Sequence, residues 1–233
     1  MGMTAENVAS RYSISRYEQE EMAYQSHRKA TLALENGFFD KEIIPIMSPD
    51  GLVEKDECIR PSTNLESMSK LKPAFSEDGT VTAATSSPLT DGAAFTLVCS
   101  EEYADENSLK PLARIIGSSV AGCPPEIMGI GPVNSTKKLF KNMNLNIQDM
   151  DVIELNEAFA SQALAVVSDL SIDIEKMNLH GGAISIGHPL GASGTRITGK
   201  AATLLNEQGG QYALATMCVG GGMGISTLLE SLN

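Results

Sequence analysis

The chain has 233 residues, of which 42% are hydrophobic and 20% charged, an ordinary globular composition that can bury a core and excludes a disordered tail. A formal net charge of −12 disfavours nucleic acid and anionic membranes as partners, because both repel an acidic surface, and no segment approaches the roughly 20 apolar residues of a membrane span. The four cysteines, Cys58, Cys99, Cys123 and Cys218, form no CxxC pair, which argues against a disulfide framework or a zinc ribbon and for a reducing compartment, cytosol or organelle matrix.

In chain order, Thr4 is a plausible N-cap for a first short helix carrying Val8, Ala9 and Tyr12. Ser15 with Glu18 predicts a capping box, and the helix it opens runs through Met22, Ala23, His27, Ala30 and Leu34 to a stop at Asn36-Gly37. Residues 38–90 carry short apolar runs broken by Pro49, Pro61, Pro73 and Pro88, and predict an irregular region with small strands. The run Ala93 to Cys99 predicts a short buried strand. Beyond it the pattern predicts a strand over 112–120, a helix over 135–143, a strand over 151–155, a helix over 156–170, a helix over 192–206, and strands near 212–217 and 224–229. Strands alternating with helices imply an α/β layer structure.

Three clusters carry chemical weight. Asn156-Glu157-Ala158-Phe159-Ala160 falls where a strand gives way to a helix, at the end of an α/β sheet where ligands bind; the plain alternative is an Asn156 that only caps the helix. His180 to Arg196 holds five glycines around His188 and leads into a helix start that favours anions, although such loops also serve as tight turns, and no Walker lysine is present for a nucleotide-phosphate reading. Cys218 ends a strand and is followed by Gly220, Gly221, Gly222 and Gly224. A lone strand-end cysteine is more often a small buried hydrophobe, but these glycines read as exposing N–H groups beside the sulfur, with no packing purpose. Cysteine and histidine on such backbone suit acyl chemistry through a thioester or an enolate.

Taken in order, the NEAFA, GGAxxxGHPxGASGxR and CxGGGMG motifs resemble the C-terminal half of a thiolase, and the likeness extends back through Met1-Gly2-Met3-Thr4-Ala5-Glu6-Asn7-Val8-Ala9, Gly79-Thr80-Val81-Thr82-Ala83 and Asp91-Gly92-Ala93-Ala94. The resemblance implies an α/β fold, a mixed five-stranded sheet with helices on both faces, plus a loop domain. It implies residues 1–88 as the loop domain, 89–110 as the last strand and helix of the N-terminal half, and 111–233 as the C-terminal domain. The family's nucleophilic cysteine stands in a VCxSG-like context that occurs nowhere here, so the chain alone is expected to lack the acyl acceptor and to be inactive without an N-terminal half.

The remaining roles carry over as expectations. His188 would deprotonate the nucleophile and, with a water held by Asn156, stabilise the substrate oxyanion. Cys218 would move the α-proton of acetyl-CoA, its thiolate favoured by nearby N–H groups, and the N–H of Gly220 would serve a second oxyanion hole. Arg60 matches the arginine that meets the nucleotide end of coenzyme A, and Ser87 the serine at the pantetheine. Phe75, Ala83, Leu89, Met128 and Phe159 match the apolar walls; singly, each is as ordinary in a protein core. Ala84-Thr85 replaces the family's usual Gly-Asn, and Asn156 in place of histidine argues against the trifunctional-complex type. The resemblance thus implies acyl-CoA C-acyltransfer, with coenzyme A thioesters as substrates, no cofactor and no metal. It also implies a homo-oligomer or a partner chain supplying the missing half. The alternative is a non-catalytic CoA-binding module.

Overall fold

The structure, a computed structural model, describes residues 1–232. The capping box forms as the sequence predicts: Ser15 Oγ accepts from the Glu18 N–H while the Glu18 carboxylate accepts from the Ser15 N–H at 2.7 Å, opening α2 (Arg16–Glu35). Helix α2 stops at Asn36, followed by Gly37 at φ 72°. Before it, α1 (Gly2–Arg11) begins at Met1, so Thr4 lies inside the first turn; its hydroxyl donates to the Met1 carbonyl at 2.6 Å and does not cap the helix. The proline-broken region holds a small antiparallel hairpin, β1 (Ile46–Ser48) with β2 (Gly51–Val53), the single-turn helix α3 (Leu65–Ser69) and a short 3-10 turn (Ala83–Thr85).

The central sheet is built by β3 (Arg114–Gly122), β4 (Val152–Leu155), β5 (Tyr212–Val219) and β6 (Met223–Glu230), in the order β3-β6-β5-β4. It is mixed: β4 runs parallel to β5, and β6 runs antiparallel to both β5 and β3. Alternation along β4 sends its side chains to two cores. Ile153 and Leu155 join Leu214, Leu228, Leu139 and Val166 under α5 (Gly131–Met143) and α6 (Ala160–Leu170). Val152 joins Ala213, Leu229, Ile197, Leu204 and Leu205 under α8 (Ser193–Gln208). Each fully buried leucine or isoleucine contributes roughly 1.5–3 kcal/mol, so these two layers hold the sheet and fix where its strand ends fall. Helices α1 and α2 lie over the end that carries the site, with Val8 packed on Ile127 and Ala165, and Ala23 on Ala160 and Ile184.

The structure corrects three further expectations. The sheet has four strands among the described residues, not five. Residues 93–99 form no strand: no neighbouring strand offers a ladder, and Phe95, Leu97 and Val98 are 89%, 72% and 68% exposed. The helix expected from Asn156 begins only at Ala160, since the Asn156 N–H donates to the Thr216 carbonyl at 2.9 Å and so continues the sheet. The short helix α4 (Glu101–Glu106) follows the exposed run. No helix is long and apolar enough to cross a membrane among the described residues.

Candidate active site

Parallel pairing of β4 with β5 matches Leu155 to Thr216 and brings the two strand ends side by side. Asn156 leaves β4 at this edge, wholly buried, and its Nδ2 lies 3.4 Å from His188 Nε2. Asn156 Oδ1 is buried without a partner among the described residues. Cys218 stands two residues beyond Thr216 on β5, in one cluster with Ala158, Phe159 and Met128. The sequence motifs therefore converge on one sheet end, as the α/β rule expects.

The loop that delivers His188 is held at several points. It passes through the one-turn helix α7 (Ala183–Ile186) into Gly187, whose φ of 108° suits glycine; a Cβ there would meet Thr90 Oγ1 at 2.7 Å. The His188 N–H donates to Thr90 Oγ1 at 3.3 Å. His188 Nδ1 lies 2.6 Å from Ser193 Oγ at the start of α8. Burial, and next the charge of Arg196, hold the imidazole below the usual histidine range, so it is neutral at physiological pH and available as a base.

Glu157, given no role from the sequence, anchors this arrangement. Its buried carboxylate accepts from Ser26 Oγ at 2.7 Å, from Asn178 Nδ2 at 2.8 Å and from the Ile184 N–H at 3.3 Å. Burial pushes its pKa up, against these three hydrogen bonds and Arg196, which favour the anion. Asn178 also brackets the exit of β4, accepting from the Leu155 N–H at 2.9 Å and donating to the Leu155 carbonyl at 2.8 Å. One carboxylate thus ties α2, the residue after Asn156 and the loop before His188 together. The only signal for it in the sequence is its place inside the NEAFA motif.

Cys218 departs from expectation. It is 5% exposed, packed among Ala5, Val81, Met128, Ala158 and Phe159, and burial pushes its thiol up to about 12, with Cys123 nearby adding to the rise. The glycines do not deliver a thiolate here, and two of them do pack. A Cβ on Gly222 would meet the Cys123 carbonyl at 2.5 Å, and one on Gly224 would clash with the backbone of Gly131. Gly220 and Gly221 do face open space, and Gly220 is exposed. Iodoacetamide at about pH 8 is therefore expected to label exposed Cys99 first and Cys218 last. Peptide mapping over time reads the order, and early labelling of Cys218 would mean that its thiol meets solvent in the folded chain.

The remaining predicted residues divide. Ser87 donates through both its N–H, at 3.1 Å, and its hydroxyl, at 3.0 Å, to the Ala158 carbonyl, pinning its loop beside the NEAFA turn. Phe159 and Met128 are buried against Cys218, and Phe75 stacks edge-on to Phe159 with ring centroids 5.9 Å apart. Ala83 and Leu89 are exposed, as is Arg60, whose backbone N–H donates to His27 Nδ1 at 3.2 Å. The structure thus brings Asn156, His188, Cys218, Met128, Phe159, Phe75 and Ser87 to one region, and leaves Arg60, Leu89 and Ala83 on the surface.

Two family models match the chain: "Thiolase, N-terminal domain" over residues 1–102 and "Thiolase, C-terminal domain" over residues 109–231. An acetyl-CoA acetyltransferase of Chromobacterium violaceum is 46% identical over 99% of the chain and 60% of its own length. The mitochondrial 3-ketoacyl-CoA thiolase of Homo sapiens is 45% identical over 99% of the chain and 59% of its own. Among solved structures, the human mitochondrial 3-ketoacyl-CoA thiolase in complex with CoA superposes with a TM-score of 0.96 at 46% identity, covering 99% of this chain and 58% of that one. A Bacillus anthracis acetyl-CoA acetyltransferase gives 0.96 at 45% identity, covering 100% and 60%. The chain spans about 60% of the length of these relatives. With the two matches following one another along the chain and 46% identity to a relative over 99% of it, the chain belongs to the thiolase family.

Proposed function

We propose that this chain carries the acid/base and oxyanion-binding part of an acyl-CoA C-acyltransferase, acting in thiolysis of 3-ketoacyl-CoA or condensation of acetyl-CoA. The observation that carries the reading is the Asn156–His188 contact at 3.4 Å beside the Cys218 strand end. In the mechanism His188 Nε2 takes the proton of a nucleophilic thiol supplied from outside these residues. The Nε2–H so formed then donates to the substrate oxyanion. The unpartnered Asn156 Oδ1 supports a water held there, whose other proton reaches the same oxygen. The neutral, buried thiol of Cys218 suits protonation of an enolate as the carbon–carbon bond breaks; in condensation it must first lose that proton. The N–H of Gly220, exposed at the turn, is offered to the second oxyanion.

Coenzyme A would lie along the Ser87 loop, between Phe75, Met128 and Phe159, with Arg60 toward the nucleotide and Ala83 and Leu89 at the rim. A complete pocket wall then requires the half absent from these residues, and the exposed Phe95, Leu97 and Val98 suit contact with it. The interval between the two family matches, from residue 102 to 109, supports a division near 110, with 1–88 as loop domain and 111–233 as C-terminal domain. Reduced cytosol or mitochondrial matrix, with a homo-oligomer or a partner half-chain and no cofactor beyond the thioester substrates, completes the reading.

Thiolysis of acetoacetyl-CoA, followed with the purified chain alone and mixed with a polypeptide matching the relatives' remaining N-terminal part, tests it. Turnover only in the mixture is the expected result. Turnover by the lone chain would place the nucleophile within these residues. None in either, with both polypeptides folded, would favour a CoA-binding module without chemistry.

A further inference from the structure

We propose that Ser193 is a positioning residue that fixes His188 in the tautomer with its proton on Nδ1, leaving the lone pair of Nε2 directed at Asn156 and the reacting centre. A neutral imidazole has one donor and one acceptor nitrogen, and the hydrogen bond made by one nitrogen decides the state of the other. Here both nitrogens have partners: Ser193 Oγ lies 2.6 Å from Nδ1, and Asn156 Nδ2 lies 3.4 Å from Nε2. Ser193 is fully buried at the first residue of α8, so no bulk water competes for its hydroxyl.

The hydroxyl proton has a separate destination. Ser193 Oγ donates to the Pro189 carbonyl at 3.1 Å, the oxygen on which the N–H groups of Ala192 and Ser193 also converge as the helix begins. With that proton engaged, the oxygen presents lone pairs to Nδ1, which must then be the donor. Nε2 is left as an acceptor, matched to the amide N–H of Asn156. The reverse tautomer breaks both contacts: the hydroxyl would have to turn from Pro189 to donate to Nδ1, and an Nε2–H would face the Asn156 NH2, donor against donor. Because the partner is a hydroxyl and not a carboxylate, it sets the tautomer without holding the ring as an imidazolium, so His188 stays a neutral base.

The consequence for turnover rests on the role proposed for His188, but the tautomer can be read without turnover. The chain has three histidines, His27, His180 and His188, so the ring nitrogens of 15N-labelled protein form a small set, and the signals missing from His188→Gln identify the third. At neutral pH we expect a protonated-type Nδ1 and a lone-pair-type Nε2 for His188. Ser193→Ala should lose that pattern, giving an Nε2–H or a mixture, whereas Ser193→Thr, which keeps the hydroxyl, should retain it. An Nε2–H in the unaltered chain overturns the proposal outright, even where the variants fail to fold. An unchanged Nδ1–H in a folded Ser193→Ala protein overturns it as well. In the two-part assay, Ser193→Ala is expected to lower kcat on the order of 10²-fold with KM for coenzyme A nearly unchanged. The expected tautomer pattern in a chain that never turns over would leave the positioning role standing and sink the acyl-transfer reading.

Discussion

Replacing His188 with alanine is expected to lower kcat for acetoacetyl-CoA thiolysis in the two-part assay by about 10²–10⁴-fold, the range over which a positioned general base acts. The expectation follows from three features of the ring. Its Nε2 shares the sheet end with Asn156, its Nδ1 is held by Ser193, and burial with Arg196 keeps it neutral near pH 7. Coenzyme A affinity should hardly change, because the residues proposed to line its path, Ser87 and Phe75 among them, are positioned by the Ala158 carbonyl and the Phe159 ring. A rise in KM with kcat intact would mean that His188 binds substrate and moves no proton. The pH profile gives a second test. The base is competent when neutral, and its pKa lies below the ordinary histidine value, so the acidic limb should fall away below about pH 6.5, not above it. Asn156→Ala should cost on the order of 10²–10³-fold, as loss of an oxyanion-hole group does.

The parts of this site legible in the sequence were those with local physical causes. Ser15 and Glu18 announce the start of α2 because a capping box is closed by two residues three apart. Asn156 and Cys218 stand out because each falls at a strand end, and His188 because a glycine-rich loop carries it toward a helix start, all amid motif residues. Much of what holds them was not legible, because the partners are remote in sequence: Glu157 meets Ser26 across 131 positions, and Ser161 Oγ donates to the Ala5 carbonyl across 156. Periodicity also misread 93–99, where an apolar run looks like a strand but only a neighbouring strand can make it one. The helix start expected at Asn156 failed for a related reason, since the Thr216 carbonyl claims the Asn156 N–H and delays the helix until Ala160. For Cys218 the glycines suggested an open sulfur, whereas Val81 and Ala5, distant in sequence, close over it.

Glu154→Gln is expected to remove a pH dependence of stability worth about 3 kcal/mol, the equivalent of roughly 2.5 pK units. Glu154 precedes the site by two residues on β4, on the same side as Val152 and therefore toward α8. It is wholly enclosed and its Oε1 has no partner among the described residues, unlike Glu157 with its three donors. Burial drives its pKa from 4.5 up to about 7; Arg196 and Lys200 pull it down, and Glu157 and Glu42 push it further up. Lys200 answers only in part, because its ammonium is 2.8 Å from Glu42 and 4.9 Å from the centre of the Phe39 ring. Between pH 4.5 and 7 the folded chain keeps a proton that the unfolded chain has released. Its stabilising contribution is therefore complete below about 4.5 and is lost as pH rises through 7. Glutamine, neutral throughout, escapes that loss, so urea unfolding should show the variant gaining on the parent by about 3 kcal/mol between pH 4.5 and 8. Other groups titrate alike in both proteins and cancel. An offset between the two proteins that stays flat across that range would mean that Glu154 is ionised in the fold, with Arg196 or Lys200 as its counter-charge.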